Sequence, residues 1–444
     1  MRHGLSSSGG ASPDRPELPP RIIPPLRRII GPLALMAVTP PLALTLWLAN
    51  TRYGGSFHRL LSEATWSAWL SELPRPSAWA LTLIACWCAF QWALLRVLPG
   101  SEFLGPLTAS GARPAYKKNG LAAWAVSHAL LMAGFYSGVL SATTFYQHYG
   151  ELLATLAMLA FPLCAVLYFK GIHAPNSPDR VVTGHRLFDY FQGIELHPTI
   201  FGTSLKQLVN SRISMMGWSA IVVAFCAHQM STPAGLSSAL LVSSAIAIAY
   251  LLKFFVWETG YFTSLDVMHD RFGYYICGGV LAWVPAVYPS AQLYLTASPR
   301  EISPLAAIGC LLLGAVAIAV NYAADAQRQL FRQTAGQCEV WGEPPRVIRA
   351  SYRGRDGLAR ENLLLVSGYW GLARHFHYVP EVCLALAWTL PAGLLFAPYV
   401  YVVFLTLLLL DRAGRDDKRC ESKYGSAWMT YRNLVPYKVI PLIY

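Results

Sequence analysis

Charge is scarce in this sequence. Only 13% of its 444 residues are Asp, Glu, Lys or Arg, against about 25% in soluble domains. With 55% apolar residues, the composition points away from a water-soluble fold and toward a polytopic membrane protein. The nine cysteines (86, 88, 164, 226, 277, 310, 338, 383 and 420) form no CxxC pair and are odd in number, so neither a disulfide framework nor a zinc ribbon is indicated. His375 and His377 form an HxH with no further ligand nearby, and no metal is expected. No GxGxxG follows a strand pattern, which argues against a Rossmann domain. The first 27 residues hold no apolar core followed by a small-residue cleavage site, so no cleavable signal is expected. Their Pro, Ser and Gly content predicts a disordered cytoplasmic tail over residues 1–28. No internal repeat is evident.

Long apolar runs dominate what remains. A span needs about 20 mostly apolar residues, and about ten candidates lie near 29–49, 77–98, 120–141, 152–169, 214–230, 236–257, 274–296, 304–323, 380–394 and 396–410. The last two are short, and LPAGLLFAP between them reads as a tight helical hairpin. The expected fold class is therefore all-α, a polytopic membrane protein with about ten transmembrane helices. Residues 29–230 form an N-terminal set. Residues 231–444 form a C-terminal set. The net charge of +12 follows the positive-inside rule rather than nucleic-acid binding. Arg21, Arg27 and Arg28 precede the first span, and loops 99–119, 170–213, 258–273 and 324–379 carry most of the remaining Lys and Arg. Both termini are thus expected in the cytoplasm.

Polar clusters at the membrane edge suggest chemistry. Arg328 and Arg332 are four apart on one helix face, and guanidinium groups suit planar phosphate recognition. Trp370 and Tyr369, beside Arg374, offer a stacking surface together with a charge. Asp411 to Tyr431 is densely charged directly after a span, and an acid such as Asp416 can accept hydrogen bonds from ribose hydroxyls or a carboxamide. Plain anchoring in cytoplasmic loops accounts for much of the same pattern. Further upstream, Lys253 and Glu258 sit within or at the end of an apolar helix, where ionisable residues are costly. Tyr250, Glu258 and Tyr261 recur at helical spacing, and Asp266, His269 and Asp270 follow on a loop. A buried carboxyl is raised in pKa, and a protonated acid is what alkene protonation requires. The plainer reading has Lys253 snorkelling to the surface and Glu258 capping a helix end.

Two stretches carry a family resemblance. GYWGLARHFHY (368–378) resembles the SGxWGxxRHxNY signature of the sterol reductase family. RAGRDDKRCESKYGSAWMTYRNLVPYKVIPLIY (412–444) resembles that family's closing element. YFKG (168–171), GIELHP (193–198), the 326–333 helix and CEVWGEPPRVI (338–348) also match, and the likeness covers about residues 75 to 444. GIELHP, DVMHDRFGYY, VWGEPPRVI and VSGYWGLARHFHY look most like the members that reduce a sterol's 7,8 double bond.

The resemblance implies ten membrane helices, NADPH bound from the cytoplasm, and reduction of a sterol double bond. It maps a cofactor pocket onto Arg328, Arg332, Leu365, Trp370, His377, Asp416, Cys420 and Tyr431. His377 replaces the family's Asn, and Pro380-Glu381 replaces its Gly-Asp. Transferred more loosely, the acid–base residue falls among Tyr250, Glu258 and Asp270. The partner implied is a sterol held within the membrane. The membrane is the endoplasmic reticulum in a eukaryote or the inner membrane in a bacterium. Alternatives are reduction at the 14,15 or side-chain 24 bond, a catalytically inactive sterol-binding scaffold, an isoprenylcysteine methyltransferase or a transporter.

Overall fold

Serine caps and hydrophobic length set where the helices begin and how far they run. The computed structural model describes residues 26–353 and 359–444, so most of the tail predicted over 1–28 lies outside them. Among the described residues, eight helices are long and apolar enough to cross a membrane, and Gly120–Tyr136 and Tyr378–Ala392 are shorter apolar helices. Together they account for the ten spans expected from hydropathy. In chain order the principal helices are α1 (Gly31–Thr51), α2 (Ala78–Val97), α3 (Gly120–Tyr136), α4 (Tyr149–His173) and α5 (Gln207–Met230). They continue as α6 (Ser238–Val256), α7 (Tyr274–Ala297), α8 (Pro304–Gln333), α9 (Tyr378–Thr389), α10 (Val400–Tyr424) and α11 (Ser426–Leu434).

Helix α8 shows the logic. Ser303 accepts a hydrogen bond from the Ala306 N–H, and Pro304 occupies the first turn, where its missing N–H costs nothing. The apolar run then outlasts the bilayer, and its last turns carry Asp325, Gln327, Arg328 and Arg332. Between α9 and α10, short 3₁₀ turns at Leu390–Ala392 and Ala397–Tyr399 flank Gly393 (φ 78°) and make the expected hairpin.

Association in lipid depends on close packing. A Cβ at Gly314 of α8 would lie 2.8 Å from the Ile246 side chain of α6, so only glycine lets these two helices approach as they do. Helix α9 packs against α6, α8 and α10. The centre is aromatic: Trp218 and Trp388 are each 1% exposed, and Tyr401 stacks on Trp388 with ring centres 5.5 Å apart.

No strands were expected from the sequence, yet among the described residues three antiparallel hairpins decorate the helices. They are β1 (Ser101–Leu104) with β2 (Ala115–Lys118), β3 (Thr199–Ile200) with β4 (Thr203–Ser204), and β5 (Val347–Arg353) with β6 (Ala359–Leu365). The third runs in register from Val347↔Leu365 to Arg353↔Ala359 and packs on α10 and α11.

Candidate active site

The polar end of α8 faces the segment between β6 and α9. The Trp370 indole N–H donates to the Ala324 carbonyl (2.9 Å), and the Arg328 guanidinium lies over the Trp370 ring at 4.2 Å. Gly368 makes this approach possible. It has φ 63°, and a Cβ there would lie 2.3 Å from the Gln327 amide oxygen, which accepts a hydrogen bond from the Tyr369 N–H (3.0 Å). Gly368→Ala should therefore strain the backbone by about 1–3 kcal/mol and push Gln327 away. A lowered thermal midpoint with a diminished cofactor-induced shift is the expected result; unchanged values of both would separate Gly368 from the site.

The remaining cofactor candidates attach to this nucleus. Leu365 ends β6 and packs with Phe331, Val340 and Trp370. The buried Tyr431 hydroxyl of α11 donates to the Trp370 carbonyl (3.2 Å), and Cys420 packs against the Val366–Trp428–Tyr431 cluster. The His377 ring lies 4.9 Å from the Trp370 ring. Asp416 on α10 stands 3.9 Å from His375 and pairs with Arg419. Arg332 extends an exposed side chain one turn beyond Arg328. The eight residues thus converge from α8, β6, α10, α11 and the 368–377 loop.

Arg374 does not contribute the charge that its neighbours suggested. It is buried, and its guanidinium donates to the Val435 and Pro436 carbonyls (2.7 and 2.9 Å), pinning the chain after α11. The histidines are not cations here either. Burial lowers His375 to about 4 and pushes His377 well below the ordinary value, with Arg328 adding repulsion to both. Burial and the usual pKa of 6.5 for unfolded histidine set a pH window. Between about 6.5 and 4 the unfolded state binds the proton and the folded state does not, so stability should fall as pH drops through that range. His375→Asn should flatten the decline in a thermal-midpoint series; an unaltered slope would contradict this account.

The three acid–base candidates are not brought together. The helix breaks at Trp257, so Glu258 opens a separate turn (Glu258–Tyr261) and does not share a face with Tyr250. Glu258 is 2% exposed and engaged by Arg212, which also donates to Asn119 (3.0 Å), while Ser211 donates to the same carboxylate (2.7 Å). Arg212 itself, expected in a cytoplasmic loop, is 0% exposed in α5. A carboxylate held this way is a structural ion pair. Asp270 sits on the loop before α7, 3.7 Å from Arg415. Burial and the neighbouring Asp266 raise its pKa, and Arg415 opposes the shift. Asp266 pairs with Arg412, and the Lys206 ammonium donates to the Asp266, Val267 and Asp270 carbonyls. This loop is a brace on α10.

Tyr250 alone faces the aromatic centre, with ring centres 5.9 Å from Trp218 and 5.6 Å from Trp388. Its hydroxyl donates to Glu381 Oε1 of α9 (2.6 Å). Glu381 Oε2 accepts from Asn321 of α8 (3.0 Å), whose amide oxygen accepts from Lys253 (2.6 Å). Lys253 therefore turns inward to Asn321 instead of snorkelling. The sequence reading placed Glu381 only as a departure from a cofactor motif and missed both it and Asn321. Glu381's position three residues after Tyr378 on an apolar helix was the available signal.

An apolar groove of about 310 Å³ opens between α1, α7 and α10, lined by Leu46, Trp283, Phe396, Val400 and Phe404 among others. Rings lead from it toward Tyr250: Phe404 to Tyr288 (6.3 Å), Tyr288 to Tyr401 (4.5 Å), Tyr401 to Trp388 (5.5 Å) and Trp388 to Tyr250 (5.6 Å).

Fold and site together define a multi-pass α-helical membrane protein with a cationic, aromatic cluster where its late helices leave the apolar region. The profile of the ergosterol biosynthesis ERG4/ERG24 family matches residues 47–444. The chain is 43% identical over 418 residues to a 7-dehydrocholesterol reductase of Arabidopsis thaliana, covering 93% of this chain and 96% of the relative. It is 32% identical over 413 residues to a Delta(14)-sterol reductase of Methylotuvimicrobium alcaliphilum (93% and 94%). It is also 32% identical over 377 residues to a 7-dehydrocholesterol reductase of Xenopus laevis (82% and 80%). The chain belongs to the ergosterol biosynthesis ERG4/ERG24 family.

Proposed function

We propose that this chain is an NADPH-dependent reductase of the sterol 7,8 double bond, acting on 7-dehydrocholesterol-like sterols. The observation that carries the reading is the adjacency of two sites on the same helices. On α8, Asn321 belongs to the Tyr250–Glu381 network, while Ala324 and Arg328 hold Trp370. His377 is the N-cap of α9, and Glu381 lies in the first turn of that helix. The 43% identity across nearly the whole length of a 7-dehydrocholesterol reductase supports the choice of bond.

The cluster suits a dinucleotide. The buried atoms His375 Nε2 and His377 Nδ1 have no hydrogen-bond partner among the described residues, and an unpaired buried polar group is costly unless a ligand satisfies it. Arg328 and Arg332 would bind phosphate, with the 2′-phosphate as the feature separating NADPH from NADH. Trp370 and Leu365 would supply an apolar wall, Asp416 would accept from hydroxyl or carboxamide donors, and Cys420 and Tyr431 would close the far side. When bound, the reduced nicotinamide supplies a hydride.

The chain's own work is to hold the sterol dry and to protonate it. The apolar groove falls in the size range of small-molecule sites, roughly 300–1,000 Å³, and the packed rings between it and Tyr250 form one continuous apolar wall. An isolated alkene accepts hydride poorly, so a positioned acid must first generate a cation-like carbon, and exclusion of water protects that carbon. On this reading both termini would lie in the cytoplasm, with the chain in the endoplasmic reticulum of a eukaryote or the inner membrane of a bacterium; the basic residues of loops 99–119, 170–213, 258–273 and 324–379 support the orientation.

Expression in yeast lacking its own sterol reductases, followed by chromatography of the sterols, tests the reading. Loss of the 7,8 double bond is the expected outcome. Reduction at the 14,15 or 24 position would reassign the bond, and an unchanged sterol profile would leave only a binding role.

A further inference from the structure

Tyr250 and Glu381 join α6 to α9 through a phenol–carboxyl hydrogen bond of 2.6 Å. Each is partly exposed, whereas Leu251 and Leu384 on the same two helices are 0% and 1% exposed, and the Tyr250 ring packs beside Trp218 and Trp388. Both carboxyl oxygens of Glu381 are engaged, one by the Tyr250 hydroxyl at 2.6 Å and one by Asn321 at 3.0 Å. Lys253 fixes the Asn321 amide through its oxygen at 2.6 Å, which leaves the amide nitrogen to donate to Glu381 and to the His377 carbonyl (3.1 Å). This arrangement holds the carboxyl rigidly against the phenol at one point and ties it to the cofactor-side loop at another.

We propose that Glu381 is the proton store for the reaction, passing its proton to the Tyr250 phenol as the phenol protonates the substrate's double bond. The proposal rests on the sterol reductase reading above. The 2.6 Å separation serves a hydrogen bond in either direction. With Glu381 protonated, its O–H donates to the phenol oxygen and frees the phenol O–H to point at the alkene. The Tyr250 O–H then breaks and the π pair forms a C–H bond. The Glu381 O–H breaks as the phenol O–H is restored. The dihydronicotinamide, when bound, would supply the hydride for the cationic carbon, and water would return one proton to the Glu381 carboxylate before the next turnover. Glu381 acts through Tyr250 and does not itself touch the sterol.

The test compares wild type, Glu381→Gln, Glu381→Asp and Tyr250→Phe as full-length protein in lipid nanodiscs. Readouts are thermal midpoint, the NADPH-induced shift, kcat, KM and the pH dependence of kcat. Glu381→Gln should keep the midpoint and the NADPH shift, leave KM within about twofold and lower kcat by roughly 10²-fold or more, the usual contribution of acid–base catalysis. Because the acid must be protonated, wild-type kcat should fall as pH rises, and Glu381→Gln should lose that limb. Glu381→Asp should recover part of kcat with the limb restored, and Tyr250→Phe should match the Gln variant. Near-wild-type kcat in Glu381→Gln would overturn the proposal. So would equal loss in Gln and Asp variants with lowered midpoints, which marks a structural role. A wild-type protein that shows no NADPH shift or reduces no sterol would instead overturn the parent reading, and the proposal with it.

Discussion

Glu258→Ala should lower the stability of the protein by about 3–5 kcal/mol, the cost of leaving one member of a buried ion pair unpaired. Arg212 and Glu258 are 0% and 2% exposed, and Ser211 and Asn119 complete their hydrogen bonds. Glycine at position 120 makes room for them, since a Cβ there would lie 2.5 Å from a Glu258 oxygen and 3.0 Å from Arg212. Removing the carboxylate leaves a fully buried guanidinium with only Ser211 and Asn119 as partners and no opposite charge. The double replacement Arg212→Met, Glu258→Leu should be much milder than either single change, because the uncompensated charge is gone. Thermal unfolding of the detergent-solubilised proteins checks both. Wild-type stability with lost turnover in Glu258→Gln would instead restore Glu258 as the acid.

The second large effect concerns the cofactor. Arg328→Ala should weaken NADPH binding roughly 10- to 150-fold, the equivalent of about 1.5–3 kcal/mol for a charged hydrogen bond. Arg328 also covers the Trp370 ring at 4.2 Å, so part of the loss should come from a disordered indole face. Arg332→Ala should behave differently. Its side chain is exposed, so the apoprotein's midpoint should hold while the preference for NADPH over NADH collapses. Thermal shifts measured with both nucleotides separate the cases. An undiminished NADPH shift in both variants would remove the pair from the site.

What the sequence made legible follows the range of the forces involved. Burial of apolar length is a local signal, and all ten spans could be read from it, including the short 380–394 segment and its Pro-Gly hairpin. Pairing is not local. Arg212 and Glu258 are 46 residues apart, and nothing in either neighbourhood announces the other; each was assigned to the edge of the membrane. Glu381 meets Tyr250 across 131 residues. Only the docking of α9 against α6 and α8 turns a motif substitution into a buried contact. The β5–β6 hairpin was hidden by its arginines, although Val347, Arg349 and Ser351 alternate with Ile348, Ala350 and Tyr352 in the two-residue period of a strand. Arg374 misled for the opposite reason. Its aromatic surroundings suggested a ligand, while the structure pairs it with Asp417 at 3.6 Å and with backbone carbonyls some 60 residues downstream.

The most direct test of the account follows hydrogen into the product. Purified protein in lipid nanodiscs would reduce a 7,8-unsaturated sterol, first with NADPH deuterated at nicotinamide C4 in ordinary water, then with unlabelled NADPH in heavy water. One deuterium from the cofactor on one carbon of the former double bond, and one from solvent on the other, is the predicted result. Product that carries no cofactor deuterium, or draws both hydrogens from solvent, would contradict the claim that a soluble hydride donor and a protein-held acid meet at the end of α8 and α9.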